Sequence, residues 1–194
     1  MKPPEQSVSA CIFTVFEVDP RTFLAFRDDA AVTRRRLEDQ LAHCSSANAL
    51  LIDFRQIEAM SNSYADELIG KLYVSLAAGD VAASTVSLTG LNEETRDAIS
   101  VCLERRKLAA VDADQGALLG QAAAIGDTYA HAMQLGEFRA GDIAEAMEIT
   151  LTNANNRLKR LVEAGALHRE RASSPEHGGK EFTYRVPEYE PTTP

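Results

Sequence analysis

The run ALLIDF, residues 49–54, sets the first limit on what this chain can fold into. A short, continuous apolar run of this kind reads as a buried strand, compatible with a parallel sheet. It is followed by SYADELIGKLYVSLAA (63–78), where Ala65, Leu68, Ile69, Leu72 and Leu76 recur at helical spacing and form one apolar stripe. Ser63 followed by Asp66 is a capping-box-like start to that helix. STVSLTGL (84–91) is the next strand, and NEETRDAISVCLERR (92–106) opens on an Asn cap and two acids, which predicts another helix. Upstream, VSACIFTVFEV (8–18) is β-branched and aromatic, a strand or hairpin arm, and FLAF (23–26) follows a Pro-Arg-Thr turn. AAVTRRRLEDQLAH (30–43) places Val32, Leu37 and Leu41 near one face of a helix. Strands alternating with helices predict a small α/β layer domain over residues 8–112.

The composition then shifts. VDADQGALLGQAAAIG (111–126) is small and acidic and has no aromatic residue, so 113–126 is expected as a linker. A second pattern follows over 127–187. TYAHAMQL (128–135) and AGDIAEAM (140–147) are short helices, and TLTNANNRLKRLVEAG (150–165) is a third, with Thr150 as N-cap and Gly165 as its stop. ALHRERA and EFTYRV alternate like strands around the tip SSPEHGGK. Three helices and a basic hairpin come in the order of a winged helix-turn-helix. The ends, 1–7 and 188–194, are polar and Pro-bearing, and the tail is expected to be disordered.

The third helix of this second pattern has an unusual front. Leu158, Leu161 and Val162 are spaced to face inward, but the first two turns carry Thr152, Asn153, Asn155 and Asn156. Asn costs a few tenths of a kcal/mol, roughly, in a helix, so three in four positions ask for a reason. Contact with base edges is one: Asn can bond adenine N6 and N7 together, and Thr can meet a thymine methyl. For any single Asn, capping and plain surface placement are the simpler account; the reading of base contact rests on the whole constellation of helix pair, β-wing and local positive charge. Lys159 and Arg160 lie further along, where phosphate contact is the simpler role, and Arg169, Arg171, His177, Lys180 and Arg185 would decorate the hairpin. The whole chain carries −9, which argues against wholesale coating of nucleic acid or an anionic membrane. Residues 149–186 nevertheless sum to +3, leaving −12 on the other 156 residues.

Two resemblances sharpen these readings. DIAEAMEITLTNANNRLKRLVEAGAL resembles the winged-helix family of bacterial regulators, in which D-I-A-E-A followed by R-L-K-R-L-x-E-A-G recurs. The likeness spans about 127–187 and implies a DNA-binding regulator with double-stranded DNA as partner. It departs at Glu148, a turn position where Gly is common, and so puts a carboxylate near DNA. LLIDFRQIEAMSNSYADELIGKLY resembles the STAS domains (sulfate transporter and anti-sigma-factor antagonist). The closer likeness is to the STAS-like bacterial domains of undefined function, which carry I-S-x-S-F-A-D-E-L after L-D-F, and it spans about 8–110. In the phosphorylatable members a Ser at a helix start accepts phosphate from a kinase-like ATPase. The corresponding position here is Asn62, so only Ser61 and Ser63 remain as switch residues, with capping as the plainer role for Ser63.

No phosphate-binding glycine loop, nucleophile motif or metal-ligand spacing occurs, and His43, His131, His168 and His177 are scattered. Asp66 and Glu67 look like a catalytic pair, but acids in a first helical turn are accounted for by the helix dipole. The expectation is therefore no enzyme, no cofactor and no metal. Cys11, Cys44 and Cys102 are sparse and odd in number, which points to reducing surroundings without a disulfide framework. With no apolar segment in MKPPEQSVSA and no long apolar run, the expectation is a soluble, cytoplasmic regulator without membrane contact. It would act as a homodimer, since two half-sites multiply affinity. The competing expectation is a protein-binding antagonist in a partner-switching cascade, which the net −9 and Glu148 favour.

Overall fold

The computed structural model describes residues 10–43, 49–80, 85–123, 125–171 and 182–187. The ends 1–7 and 188–194, the hairpin tip 173–180 with His177 and Lys180, and Cys44 lie outside the described residues. The fold is a mixed α/β arrangement. Its first half runs β1 (Ala10–Thr14), α1 (Val15–Val18), β2 (Phe23–Leu24), α2 (Arg27–His43), β3 (Ala49–Asp53), β4 (Ala59–Met60), α3 (Asn62–Ala65), a π-helical turn (Asp66–Gly70), α4 (Lys71–Ala78), β5 (Thr85–Thr89), α5 (Glu93–Arg106), β6 (Ala109–Asp112) and β7 (Ala117–Gly120). The second half is α6 (Gly126–Leu135), β8 (Glu137–Arg139), α7 (Ala140–Ala146), α8 (Leu151–Glu163), β9 (His168–Arg171) and β10 (Phe182–Arg185).

The main sheet has the order β1-β3-β5-β6-β7. Its first four strands are parallel, and β7 closes the edge antiparallel to β6. ALLIDF is thus a central strand, with Leu50, Ile52 and Phe54 fully buried. The parallel strands follow one another in chain order. Crossovers of one hand then lay every connecting helix on the same face of the sheet. One apolar cluster records this: Phe13, Leu50, Ile52, Val86 and Leu88 from the strands meet Leu37 of α2, Leu68 of the π-helical turn, Leu72 of α4, and Ile99 and Leu103 of α5.

The second half covers the opposite face at its β6 side, while Ile12 of β1 on that face stays 37 % exposed. Ala109 and Val111 of β6 belong instead to a second cluster, with Ile125, Tyr129, Phe138, Ile143, Leu158, Leu161 and Leu167. The main chain also crosses over: Val86 N–H of β5 donates to Gly165 O at 3.0 Å. The turn after α8 can come this close because Gly165 has no side chain. A Cβ there would sit 2.7 Å from Val86 N. Gly165 takes φ +68°, and Gly165 N–H and Ala166 N–H donate to Val162 O and Leu161 O, closing the helix as its sequence predicts.

Several details differ from the sequence reading: residues 15–18, expected in a strand, form α1, and Val32, expected on the apolar face of α2, is 48 % exposed. Residues 117–120, expected inside a linker, are strand β7. The acidic stretch before it forms the turn, where Asp112 Oδ1 accepts from Asp114 N–H and Gln115 N–H at 3.1 and 3.2 Å. The helix expected from Ser63 has its cap two residues earlier. Ser61 is the N-cap, accepting from Tyr64 N–H at 3.2 Å. Cys11 is disulfide-bonded, whereas Cys102 is a free, buried thiol. Among the described residues, no helix is long and apolar enough to cross a membrane.

Candidate nucleic-acid interface

Strands β8, β10 and β9 form a three-stranded antiparallel sheet in that order, beside α6, α7 and α8. Phe138 stacks on Tyr184 at 5.9 Å between ring centroids, and this contact fixes β8 and β10 under the helices. Burial pushes the Tyr184 phenol above its ordinary range. Thr150 caps α8, its hydroxyl accepting from Asn153 N–H at 3.2 Å. Ala154, Leu158 and Leu161 are fully buried and Val162 packs against the same cluster. The inward stripe is therefore the predicted one.

Among the described residues, no carboxylate is paired with the front of the outward stripe. Thr152, Asn153, Asn155 and Asn156 are exposed, as are Leu151 and Lys159, and Arg160 is half-buried. Lys159 lies 3.6 Å from Glu163, a loose pair one turn further on. On β9, Arg169 and Arg171 are exposed, and Arg169 lies over the Phe182 ring at 4.8 Å. Glu170 is occupied by His168 at 2.7 Å and Arg185 at 3.4 Å. Lys180, expected in the same set, lies outside the described residues.

Arg157 plays a part that the sequence reading did not assign. Its Nε donates to Asn153 Oδ1 at 3.0 Å and its Nη1 to Thr128 Oγ1 of α6 at 3.3 Å. The guanidinium is thus held at both ends. It settles which end of the Asn153 amide is oxygen and leaves the amide NH2 free to donate outward. The i, i+4 spacing of Asn153 and Arg157 was the available signal. The bond to Thr128 could not be read, because it joins two helices.

The turn between α7 and α8 contains the departure from the winged-helix pattern. Glu148 adopts φ +52°, a left-handed conformation that costs a side-chain-bearing residue roughly 1–2 kcal/mol. A Gly is at ease there. Glu148→Gly should therefore raise the stability of the chain by about 1 kcal/mol, a gain visible as a higher midpoint in urea unfolding. An unchanged or lower midpoint would show that the exposed glutamate is held by something other than backbone geometry.

The first half carries the other candidate residues. Ser61 Oγ donates to Ala25 O at 2.6 Å and lies 3.0 Å from Ser63 Oγ; both serines are half-buried. Asn62 between them is exposed. Asp66 is clasped by Arg106 at 2.7 and 3.1 Å, and those hydrogen bonds hold its carboxyl below the usual range. Gly70 allows this, since a Cβ there would meet Arg106 Nε at 2.7 Å. Glu67 is almost wholly buried. Burial pushes its carboxyl up, but Lys71 at 2.6 Å, with Arg27 at 3.1 Å and Arg34 at 3.4 Å, outweighs burial and keeps it low. Both acids are ionised and paired. Compared with known proteins, the chain matches no family model, no curated protein and no solved structure.

Proposed function

We propose that the chain is a DNA-binding transcriptional regulator, in which a winged helix-turn-helix unit is carried on a STAS-like α/β unit. The observation that carries this reading is the front of α8. Thr152, Asn153, Asn155 and Asn156 face solvent beside Lys159, with Arg169 and Arg171 on the adjoining hairpin. A helix of this width fits the major groove, where its first residues meet base edges and flanking cations meet phosphate. Two copies on two half-sites would supply the affinity one unit lacks.

Salt-dependent retention of genomic fragments, measured by gel shift, tests it. Lys159→Ala with Arg160→Ala should weaken binding at least tenfold on every fragment and flatten the salt dependence. Asn156→Ala should instead reduce the preference for retained over random fragments, by about 1–3 kcal/mol of discrimination. A second reading has its own support. Phe23 and Phe26 stand 58 % and 66 % exposed on the segment whose Ala25 carbonyl holds Ser61. Exposed aromatics of this size suit a protein partner, such as the kinase-like ATPase of a partner-switching cascade. Absence of DNA retention at low salt would favour that reading.

A further inference from the structure

A cleft of about 600 Å³ opens where the turn of the β6–β7 hairpin faces α6. Its lining includes Ala117 and Leu118 from the hairpin and Gly126, Tyr129, Ala130 and Met133 from α6. None of its nine lining residues is charged, in a chain where 25 % of residues are. We propose that this cleft binds a small, uncharged, largely apolar molecule, and that α8 responds to its binding.

Three observations lead there. The volume falls within the range of small-molecule sites, roughly 300–1,000 Å³, and the cleft lies at a junction between two packed units, where such sites concentrate. The lining sets the chemistry. A carboxylate or ammonium lying in this open cleft would give up part of its water and meet no charged lining residue, whereas an apolar ring would cover Met133, which is 48 % exposed. Gln134 at the edge can take one polar group of the ligand. The third observation is the path outward. Thr128, one residue before Tyr129, is fully buried, and its hydroxyl accepts from Arg157, which also holds Asn153. A ligand that shifts α6 against the hairpin therefore acts on a side chain of the exposed front of α8. The site itself stands apart from the DNA reading; only the use made of the response rests on it.

The test uses the full chain and the neutral fluorophore N-phenyl-1-naphthylamine. The chain contains no Trp, so Gln134→Trp places a single indole, excited apart from the tyrosines, at the cleft edge. Saturable fluorescence enhancement with energy transfer from that indole is expected. Gly126→Leu and Ala130→Phe should each weaken the probe at least tenfold. A Cβ at Gly126 meets nothing within 4 Å and Ala130 is exposed, so both variants retain room to fold. Phe26→Ser, which removes an exposed ring elsewhere, should leave the probe affinity unchanged. The probe should also alter amide hydrogen exchange in residues 151–157, and Arg157→Met should abolish that change while probe binding persists. Non-saturable binding, or binding indifferent to both filling variants, overturns the site. So does a dimer in sedimentation that the filling variants dissociate, because a second copy then occupies the cleft. Probe binding with unaltered exchange in α8 overturns the response. Normal probe binding and exchange without DNA retention sinks the DNA reading alone.

Discussion

Gly165→Ala should lower the melting temperature of the chain by roughly 6–12 °C, as followed by circular dichroism. Three costs combine. A side-chain-bearing residue at φ +68° loses roughly 1–2 kcal/mol. The new methyl would overlap Val86, whose N, Cβ and O lie 2.7, 3.2 and 3.2 Å from its position. Relief requires the turn to lift from β5, which strands Val86 N–H without its 3.0 Å acceptor at about 1 kcal/mol. The sum is about 3 kcal/mol, large against the 5–15 kcal/mol that typically separates folded from unfolded. A drop under 2 °C would mean that the turn does not rest on the sheet. The same substitution at Gly79, also at positive φ but with nothing within 4 Å of its Cβ, isolates the backbone cost and should show only part of the loss.

Glu67→Gln should cost about 2–3 kcal/mol at pH 7, read from urea unfolding. The glutamine keeps the shape but leaves the charges of Lys71, Arg27 and Arg34 facing a neutral amide inside a nearly closed site. The cost stays at the low end of a buried pair because Lys71 and Arg27 keep 45 % and 50 % exposure and can regain water. The loss depends on pH in one direction. The Glu67 carboxyl titrates lower in the folded chain than its ordinary value of 4.5, so its contribution is complete above that value. It disappears as acid protonates the folded carboxyl. Wild type and variant should thus converge as pH falls below about 4.5. A gap that persists undiminished in acid would rule out charge pairing as its origin.

Much of the architecture was readable because it rests on local rules. ALLIDF became β3, the Leu and Ile spacing of 63–78 became the buried stripe, and Thr150 and Gly165 bounded α8 as cap and stop. Strand β7 was missed for a physical reason. ALLG has no β-branched or aromatic residue, and its pairing with β6 supplies what its propensity lacks. β8, three residues long, becomes a strand only by pairing with β10. Ser61 prevailed over Ser63 as cap because the carbonyl of Ala25, 36 residues away, receives its hydroxyl. The exposure of Asn153 and Asn156 followed from the helical stripe. The clamp on Asn153 did not, because half of it comes from α6.

Strands that succeed one another in chain order leave a sheet with a lid on one side only. Here the second lid is the C-terminal unit, seated on Ala109 and Val111 and tied down at Val86. Cutting the chain near residue 123 would bare that surface and yield a sticky fragment, not a tidy half-protein. Grafting a foreign C-terminal module would demand a partner with an equally slim corner where Gly165 now sits. The two halves are bound to change together over generations, since neither can alter its contact surface without the other answering.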